Sequence, residues 1–301
     1  MNAQAPFFMS GEILALASSF IYSAALISFR RGLRSASPIT GVLITNAVAS
    51  ALLLSIAFFL GTLQTSSLRP VLWFMLAGCL GQGMGHLASY TAIQRIGASR
   101  TSPVQASAPI WAVFFAAFFL GEEPGVAVVL GTFSIVGGVA LISMGEGKDV
   151  AKGGMGPAFR RALIFPVFAS FMYAAMPVIA KIGYAEQRTP FAAVGFAFLA
   201  GFLFLLCAKP FLGASGRIHA GGRDVCWILL GSLFSATATG LLWYTLTFSD
   251  VTVVLPLSRT APIWVVLLSL VFMGDMERVN ARLFGAAGLV VLGGFLITSF
   301  R

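Results

Sequence analysis

Ala108-Pro109-Ile110-Trp111 returns unchanged as Ala261-Pro262-Ile263-Trp264, 153 residues further on. At the same offset Val113, Phe119, Gly121 and Glu122 meet Val266, Phe272, Gly274 and Asp275. Working outward, Trp73, Tyr90 and Thr91 meet Trp227, Tyr244 and Thr245 at an offset of 154. Ser19, Phe20, Tyr22, Ala24 and Gly32 meet Ser170, Phe171, Tyr173, Ala175 and Gly183 at 151, and Pro38 meets Pro190 at 152. Offsets confined to 151–154 along most of the chain describe one unit written twice.

The repeated unit is apolar. Hydrophobic residues make up 58% of the chain and charged residues 10%, against roughly 45–50% and 25% in soluble proteins. Mean hydropathy is +0.93. A membrane span takes about 20 apolar residues. Hydropathy and chain breakers predict spans near 11–29, 39–60, 71–93, 101–120, 125–144, 162–182, 190–208, 225–247, 251–273 and 281–299. The loops between them leave no room for a soluble domain. The expected fold class is an all-α integral membrane protein of ten transmembrane helices. The polar, glycine-rich midpoint divides it into a first repeat over 1–147, a linker over 148–160 and a second repeat over 161–301.

Five spans per unit is an odd number, so the second unit enters the membrane from the opposite side. Inverted repeats of this kind build secondary transporters, whose substrate sites lie at the repeat interface near the bilayer midplane. Two similar, oppositely inserted units can exchange conformations, which is what alternating access requires.

Basic residues set the orientation. Loops after odd-numbered spans hold Arg30, Arg31, Arg34, Arg95, Arg100, Lys148, Lys152, Arg160, Arg161, Lys209, Arg217, Arg223, Arg278 and Arg282; the other side holds Arg69, Lys181, Arg188 and Arg301. That count places the odd loops in the cytoplasm and both termini outside a cell (inner) membrane. The net charge of +9 is dispersed between apolar runs and is read as topology and headgroup contact, with no nucleic acid as partner. Cys79, Cys207 and Cys226 lack metal-ligand spacing, so no metal is expected. Residues Met1–Ser10 carry no basic side chain ahead of the first apolar stretch, and the first span is expected to stay uncleaved.

The paired Pro-Ile-Trp segments, closed by Gly121-Glu122 and Gly274-Asp275, resemble the EamA branch of the drug/metabolite transporter superfamily. The glycine pairs Gly137-Gly138 and Gly293-Gly294 match that family's short fifth and tenth helices. The resemblance covers the whole chain and implies ten helices in two inverted halves. It implies transport of a small metabolite (amino acids, sugars and sugar nucleotides among those carried by relatives) and leaves the substrate open. Many relatives are described with cytoplasmic termini, the reverse of the charge count here. The superfamily's phosphate-translocating branch carries a Lys-Arg pair on its ninth helix; Ser258 precedes Arg259 here, which leans towards a carboxylate over a phosphate.

Arg259 falls nine residues after Asp250, about 13 Å along a helix. A charge at that depth costs at least about 2.5–3.5 kcal/mol. Its two readings are an anion anchor binding substrate through paired hydrogen bonds and a structural or snorkelling cation. Its repeat mate is Ala106, so both halves do not share the need. Gln82 and His86 lie one turn apart in the glycine-rich third span and face Ala236 and Gly240 in the repeat. Interhelical hydrogen bonding and substrate binding remain open for both. Tyr22 and Tyr173, and Trp111 and Trp264, form pseudo-symmetric pairs placed mid-span, either as cavity walls or as packing. Tyr90, Trp243 and Tyr244 are read as interfacial belt residues. Pro103, Pro109, Pro166, Pro177, Pro256 and Pro262 are expected to break backbone bonds within helices four, six and nine. Glu12, Asp250 and Asp275 fall at span ends and are read as interfacial.

Enzymatic function is disfavoured: the chain has two histidines and lacks a P-loop or a nucleophile-base set. No cofactor is expected. The expected activity is transport of a carboxylate-bearing metabolite such as an amino acid, as exporter or facilitator; sugars and nucleotide-type or phosphorylated metabolites are the alternatives. Monomer and homodimer are both open.

Overall fold

A computed structural model describes residues 11–33, 35–96, 104–105, 107–145, 161–258, 260–261, 264 and 281–299. Arg259 and the linker at 148–160 lie outside these residues. All regular elements among them are helical: α1 (Gly11–Gly32), α2 (Pro38–Phe59), α3 (Leu68–Gly78, Cys79–Gly85 and His86–Ile96), α4 (Ala108–Phe115 and Ala116–Leu120), α5 (Val126–Gly145), α6 (Ile164–Glu186), α7 (Pro190–Ala208, with a 3₁₀ turn over Lys209–Gly216), α8 (Gly222–Leu246), α9 (Val251–Ser258) and α10 (Ala281–Ser299). Six helical stretches are long and apolar enough to cross a membrane among the described residues: Gly11–Phe29, Pro38–Phe59, Leu68–Ser89, Ile164–Glu186, Pro190–Leu212 and Gly222–Leu246. Ala108–Leu120, Val126–Leu141 and Gly288–Ile297 are shorter apolar helices. Phe59, Leu68, Phe118, Val126 and Val291 stand well exposed on the outside of the bundle. Lipid, not water, is the solvent that such a surface fits.

Sequence sets the helix ends locally. Pro38 and Pro190 open α2 and α7, where a missing N–H costs nothing and the fixed φ favours the helix. Gly121 closes α4 at φ +67°, and the next N–H, that of Glu122, returns to the Ala116 carbonyl. A left-handed residue at that point turns the chain sharply and releases Glu122 away from the helix axis.

Packing repeats the internal symmetry. Helix α1 lies along α8 and α3 along α6; α2 meets α8 as α7 meets α3; α4 meets α6 as α9 meets α1. Two further pairs, α2 with α7 and α5 with α10, join equivalent helices. Exchanging the halves maps these contacts onto one another. The match reaches single residues. A Cβ on Gly32 would lie 2.7 Å from Ile228 Cγ1, and one on the equivalent Gly183 would lie 2.5 Å from Phe74 Cε1. A side chain at Gly32 would press on the α8 main chain at Asp224 and Ile228, and one at Gly183 would displace the buried Phe74 ring.

Two expectations are corrected in the core. Trp243 is fully buried and packs against Phe74 and Tyr184 at ring centroid distances of 6.4 and 6.2 Å, so it belongs to the helix interior and not to an interfacial belt. Tyr244, its neighbour, points outward and stacks on Phe191. Pro109 and Pro166 lie in the first turns of α4 and α6, where there is no preceding helical bond to remove. Pro177 and Pro256 do stand inside their helices.

Candidate functional site

Helices α4 and α9 are interrupted at equivalent places. Ser107 occupies a turn immediately before Ala108, and Thr260 one immediately before Ala261. Each turn is tied to a helix of the other half by its hydroxyl. Ser107 Oγ donates to Ser170 Oγ on α6 at 3.3 Å, and Thr260 Oγ1 shares a 2.8 Å hydrogen bond with Ser19 Oγ on α1. The aromatic pairs beside them repeat the pattern. Trp111 meets Phe171 edge-on at 5.9 Å, and Trp264 meets Phe20 edge-on at 5.5 Å. Trp111 is therefore in the first turn of α4 and not mid-helix as the span boundaries predicted; it is also 37% exposed. The Trp264 indole Nε1 is buried with no hydrogen-bond partner among the described residues, as is Gln105 Nε2 just before the α4 turn.

A second group gathers on α3, and here the halves differ. The run Cys79-Leu80-Gly81-Gln82-Gly83-Met84-Gly85 winds as a π-helix, a widened turn that recurs at functional sites. Its glycines let neighbouring side chains press against the backbone: a Cβ on Gly81 would meet Met176 Sδ at 2.2 Å, and one on Gly85 would meet the Tyr173 ring at 3.0 Å. Gln82 is 3% exposed and its Nε2 points to Met176 Sδ at 3.8 Å, while His86 and Tyr173 meet edge-on at 5.5 Å. The structure thus brings Gln82, His86 and Tyr173 together between α3 and α6. Tyr22, the partner of Tyr173 by symmetry, packs instead with Ala25, Phe29 and Ile228 between α1 and α8.

Asn46 on α2 completes the α3 group, and no sequence signal had singled it out. It is 1% exposed and donates Nδ2 to the Gln82 carbonyl oxygen at 3.3 Å. Gly201 makes room for the pair, since a Cβ there would lie 2.7 Å from Gln82 Cβ. Both side-chain oxygens, Asn46 Oδ1 and Gln82 Oε1, are buried with no partner among the described residues. Leaving a buried acceptor unsatisfied costs about 1–3 kcal/mol. The repeat mates of Asn46 and Gln82 are Phe198 and Ala236, buried at 1% and 0% exposure. Where one half fills this space with carbon, the other places two amides.

A third arrangement, at one end of the bundle, was missed because its members are 69 and 128 residues apart in sequence. Lys181 on α6 reaches Glu122 at 3.4 Å, Asp250 at 3.3 Å and the Ser249 carbonyl at 2.7 Å. Glu122, released by the Gly121 turn, accepts the Val251 and Thr252 N–H groups through its two oxygens, each at 3.1 Å. A carboxylate there satisfies the unpaired amides that open α9 and complements its dipole. Asp250 is thereby an ion-pair partner and not only an interfacial carboxylate, and Lys181 lies inside α6 and not in a loop. The three side chains join the end of α4 to α6 and the start of α9.

A bundle of apolar helices with interrupted segments and buried, unsatisfied polar groups is the build of a membrane carrier. The EamA-like transporter family model matches twice, over residues 9–144 and 160–299. The chain belongs to the EamA-like transporter family, whose members are multi-pass membrane transporters of small molecules. Short stretches also resemble curated proteins. Sixty-six residues are 38% identical to the chloroplastic phosphoenolpyruvate/phosphate translocator 3 of Oryza sativa subsp. japonica, covering 22% of this chain and 17% of that one. Sixty-three are 41% identical to translocator 1 of the same plant, covering 21% and 15%. An uncharacterised protein of Pseudomonas aeruginosa is 33% identical over 97 residues, 32% of this chain and 33% of its own length. The chain thus matches a third or less of each of these relatives. A crystal structure 17% identical in sequence superposes over 96% of both chains with a TM-score of 0.79, and so shares the fold.

Proposed function

We propose that this protein carries a small carboxylate-bearing metabolite, most simply an amino acid, across the cell inner membrane by alternating access, as an exporter or facilitator. The observation that carries the reading is the set of buried polar atoms with no hydrogen-bond partner among the described residues, beside the α4 and α9 interruptions and at the α3 π-turn. Gln105 Nε2 and Trp264 Nε1 are donors and suit a carboxylate; Asn46 Oδ1 and Gln82 Oε1 are acceptors and suit an ammonium group. Arg259, next in sequence to the Thr260 turn, is the proposed anion anchor, with His86, Tyr22, Tyr173 and Trp111 as the remaining candidate contacts.

The proposed frame is ten transmembrane helices in two inverted five-helix halves, 1–147 and 161–301 around a linker at 148–160. The two family matches and the exchange symmetry of the contacts support it. The loop charge count supports termini on the outer face.

One observation favours a second reading, a phosphorylated carboxylate. The partial relatives named above include translocators of phosphoenolpyruvate and phosphate. Ser258 in place of a second base speaks against it. Purified protein in liposomes, assayed by counterflow of labelled amino acids and of phosphoenolpyruvate, separates the two. Saturable, stereoselective amino-acid exchange that Arg259→Ala abolishes, with membrane expression intact, is the expected result. Undiminished exchange by Arg259→Ala removes the anchor from the proposal.

A further inference from the structure

A cavity of about 210 Å³ lies where the last turn of α1 meets the first turn of α8, lined by Arg31, Arg223, Asp224 and Trp227. It plays no part in the site described above. The Arg31 guanidinium stacks over the Trp227 ring, 4.7 Å from its centroid. A guanidinium carbon held over a ring does not use up the group's N–H donors, which stay available to an oxyanion. Neither Arg31 nor Arg223 forms an ion pair among the described residues. The lining carboxylate of Asp224 is turned by its Oδ2, which accepts the Ser35 hydroxyl and, at 3.2 Å, the Gly221 N–H; its charge is set against the two guanidinium groups.

The walls are held by the loops on either side. Ser37 donates its N–H to the His219 carbonyl and its hydroxyl to the Arg217 carbonyl, both at 2.7 Å, and the His219 N–H reaches Thr40 Oγ1 at 3.0 Å. The α1–α2 and α7–α8 connections are therefore stitched together beside two cations that have no ion-pair partner among the described residues. At about 30 Å³ of liquid per water, the volume is that of roughly seven waters, room for a phosphate group and the first atoms of its ester.

The surface leading away from the cavity selects the kind of phosphate. Arg223, Trp227, Leu230 and Phe234 follow one another at i, i+4, i+7 and i+11, so they share a face of α8. Leu230 is 40% exposed on that face, and Ile27, one turn before Arg31, is half-buried on α1. The order of cation, indole and then aliphatic surface follows the order of headgroup, interface and acyl chain. We propose that this cavity is a headgroup site for an anionic phospholipid, whose phosphate bridges Arg31 and Arg223 while one acyl chain runs down the α1–α8 face.

The test is native mass spectrometry on the delipidated full chain, titrated with phosphatidylglycerol or phosphatidylcholine, alone and against glycerol phosphate or inorganic phosphate. Wild type is expected to retain phosphatidylglycerol at least fivefold more than the Arg31→Gln/Arg223→Gln double variant, and to prefer it to phosphatidylcholine. Arg69→Gln, which removes the exposed partner of Glu186, retains lipid like wild type. A melting temperature matching wild type shows that the double variant is folded. Equal retention by wild type and double variant overturns the site. Full displacement of lipid by glycerol phosphate or inorganic phosphate at millimolar concentration overturns the lipid assignment in favour of a soluble phosphate.

Discussion

Glu122→Gln reads directly on the junction of α4, α6 and α9. In the wild-type chain the two Glu122 oxygens accept the Val251 and Thr252 N–H groups, and Oε1 faces Lys181 at 3.4 Å. Glutamine keeps one acceptor and turns an NH₂ towards the other amide, so one N–H loses its partner. The Glu122 side chain is only 11% exposed, and water replaces little of what is lost. A hydrogen bond to a charged group contributes about 1.5–3 kcal/mol, and a favourable charge at a helix start about 0.3–1 kcal/mol. Lys181 keeps the Ser249 carbonyl and Asp250, so its lost pairing is counted near the exposed-pair value of about 0–1 kcal/mol. Because one acceptor survives, the net loss falls near the lower end, about 2 kcal/mol, or roughly 30-fold in a local opening equilibrium.

Hydrogen exchange followed by mass spectrometry reads that equilibrium. Peptides covering Val251–Ser258 are expected to exchange about 30-fold faster in Glu122→Gln, with α2 and α7 unchanged. Lys181→Met keeps both N–H bonds to Glu122 and is expected to raise exchange by less than about fivefold. Exchange over Val251–Ser258 within about threefold of wild type in Glu122→Gln refutes the tether. A larger effect from Lys181→Met than from Glu122→Gln shows that the ion pair, not the helix cap, holds the junction.

Gly78→Ala places a Cβ 2.0 Å from the Ala197 carbonyl oxygen, forcing α3 from α7 and lowering stability by about 1–3 kcal/mol or more in a detergent melt. Gly137→Ala, with no atom of another element within 4 Å of the added Cβ among the described residues, is expected to leave the melt unchanged or raise it by up to about 1 kcal/mol; a fall disproves the open space. Trp264→Phe removes an indole N–H that has no partner among the described residues and is expected to weaken substrate half-saturation by about 1–3 kcal/mol without destabilising the fold. Unchanged half-saturation excludes that N–H from the substrate site.

The fold was legible because two kinds of information are periodic. Apolar runs mark helices, and the repeat of Ala-Pro-Ile-Trp marks the halves; both survive in any single stretch of sequence. Helix junctions are not periodic. Lys181 reads as a loop cation until the structure extends α6 to Glu186, and Glu122 reads as the end of a motif until α9 is laid against it. Trp243 has the spacing of a belt residue, but helix crossings among α3, α6 and α8 bury it on all sides. Of the candidate site, the α3 polar pair was visible as a break in symmetry at Gln82 and His86. Asn46 escaped because it is one of several small polar residues in α2, with Thr40, Thr45 and Ser50, and nothing sets it apart until its neighbour across the helix is known.

That broken symmetry supplies a test of whether the α3 group is structural or functional. The second half shows that the space accepts carbon, since Phe198 and Ala236 occupy the equivalent positions fully buried. If Asn46 and Gln82 served stability, replacing both would cost it. Their geometry argues the opposite: one 3.3 Å bond to a main-chain oxygen and one 3.8 Å contact to sulfur, set against two buried oxygens with no partner among the described residues. Replacing both side chains by apolar groups removes the two unsatisfied oxygens and loses only the long bond to the Gln82 main-chain oxygen and the contact to sulfur, a balance that favours the variant. Asn46→Leu/Gln82→Leu is therefore expected to gain about 1–2 kcal/mol, or roughly 2–6 °C in a detergent melt. The same variant is expected to lose exchange in liposomes. A melt lowered by that amount returns the pair to a structural role, and full exchange by the stabilised variant removes both residues from the substrate's path. Gain of stability with loss of exchange is the combination that only a functional role produces, because the chain then bears an energetic cost that its own other half avoids.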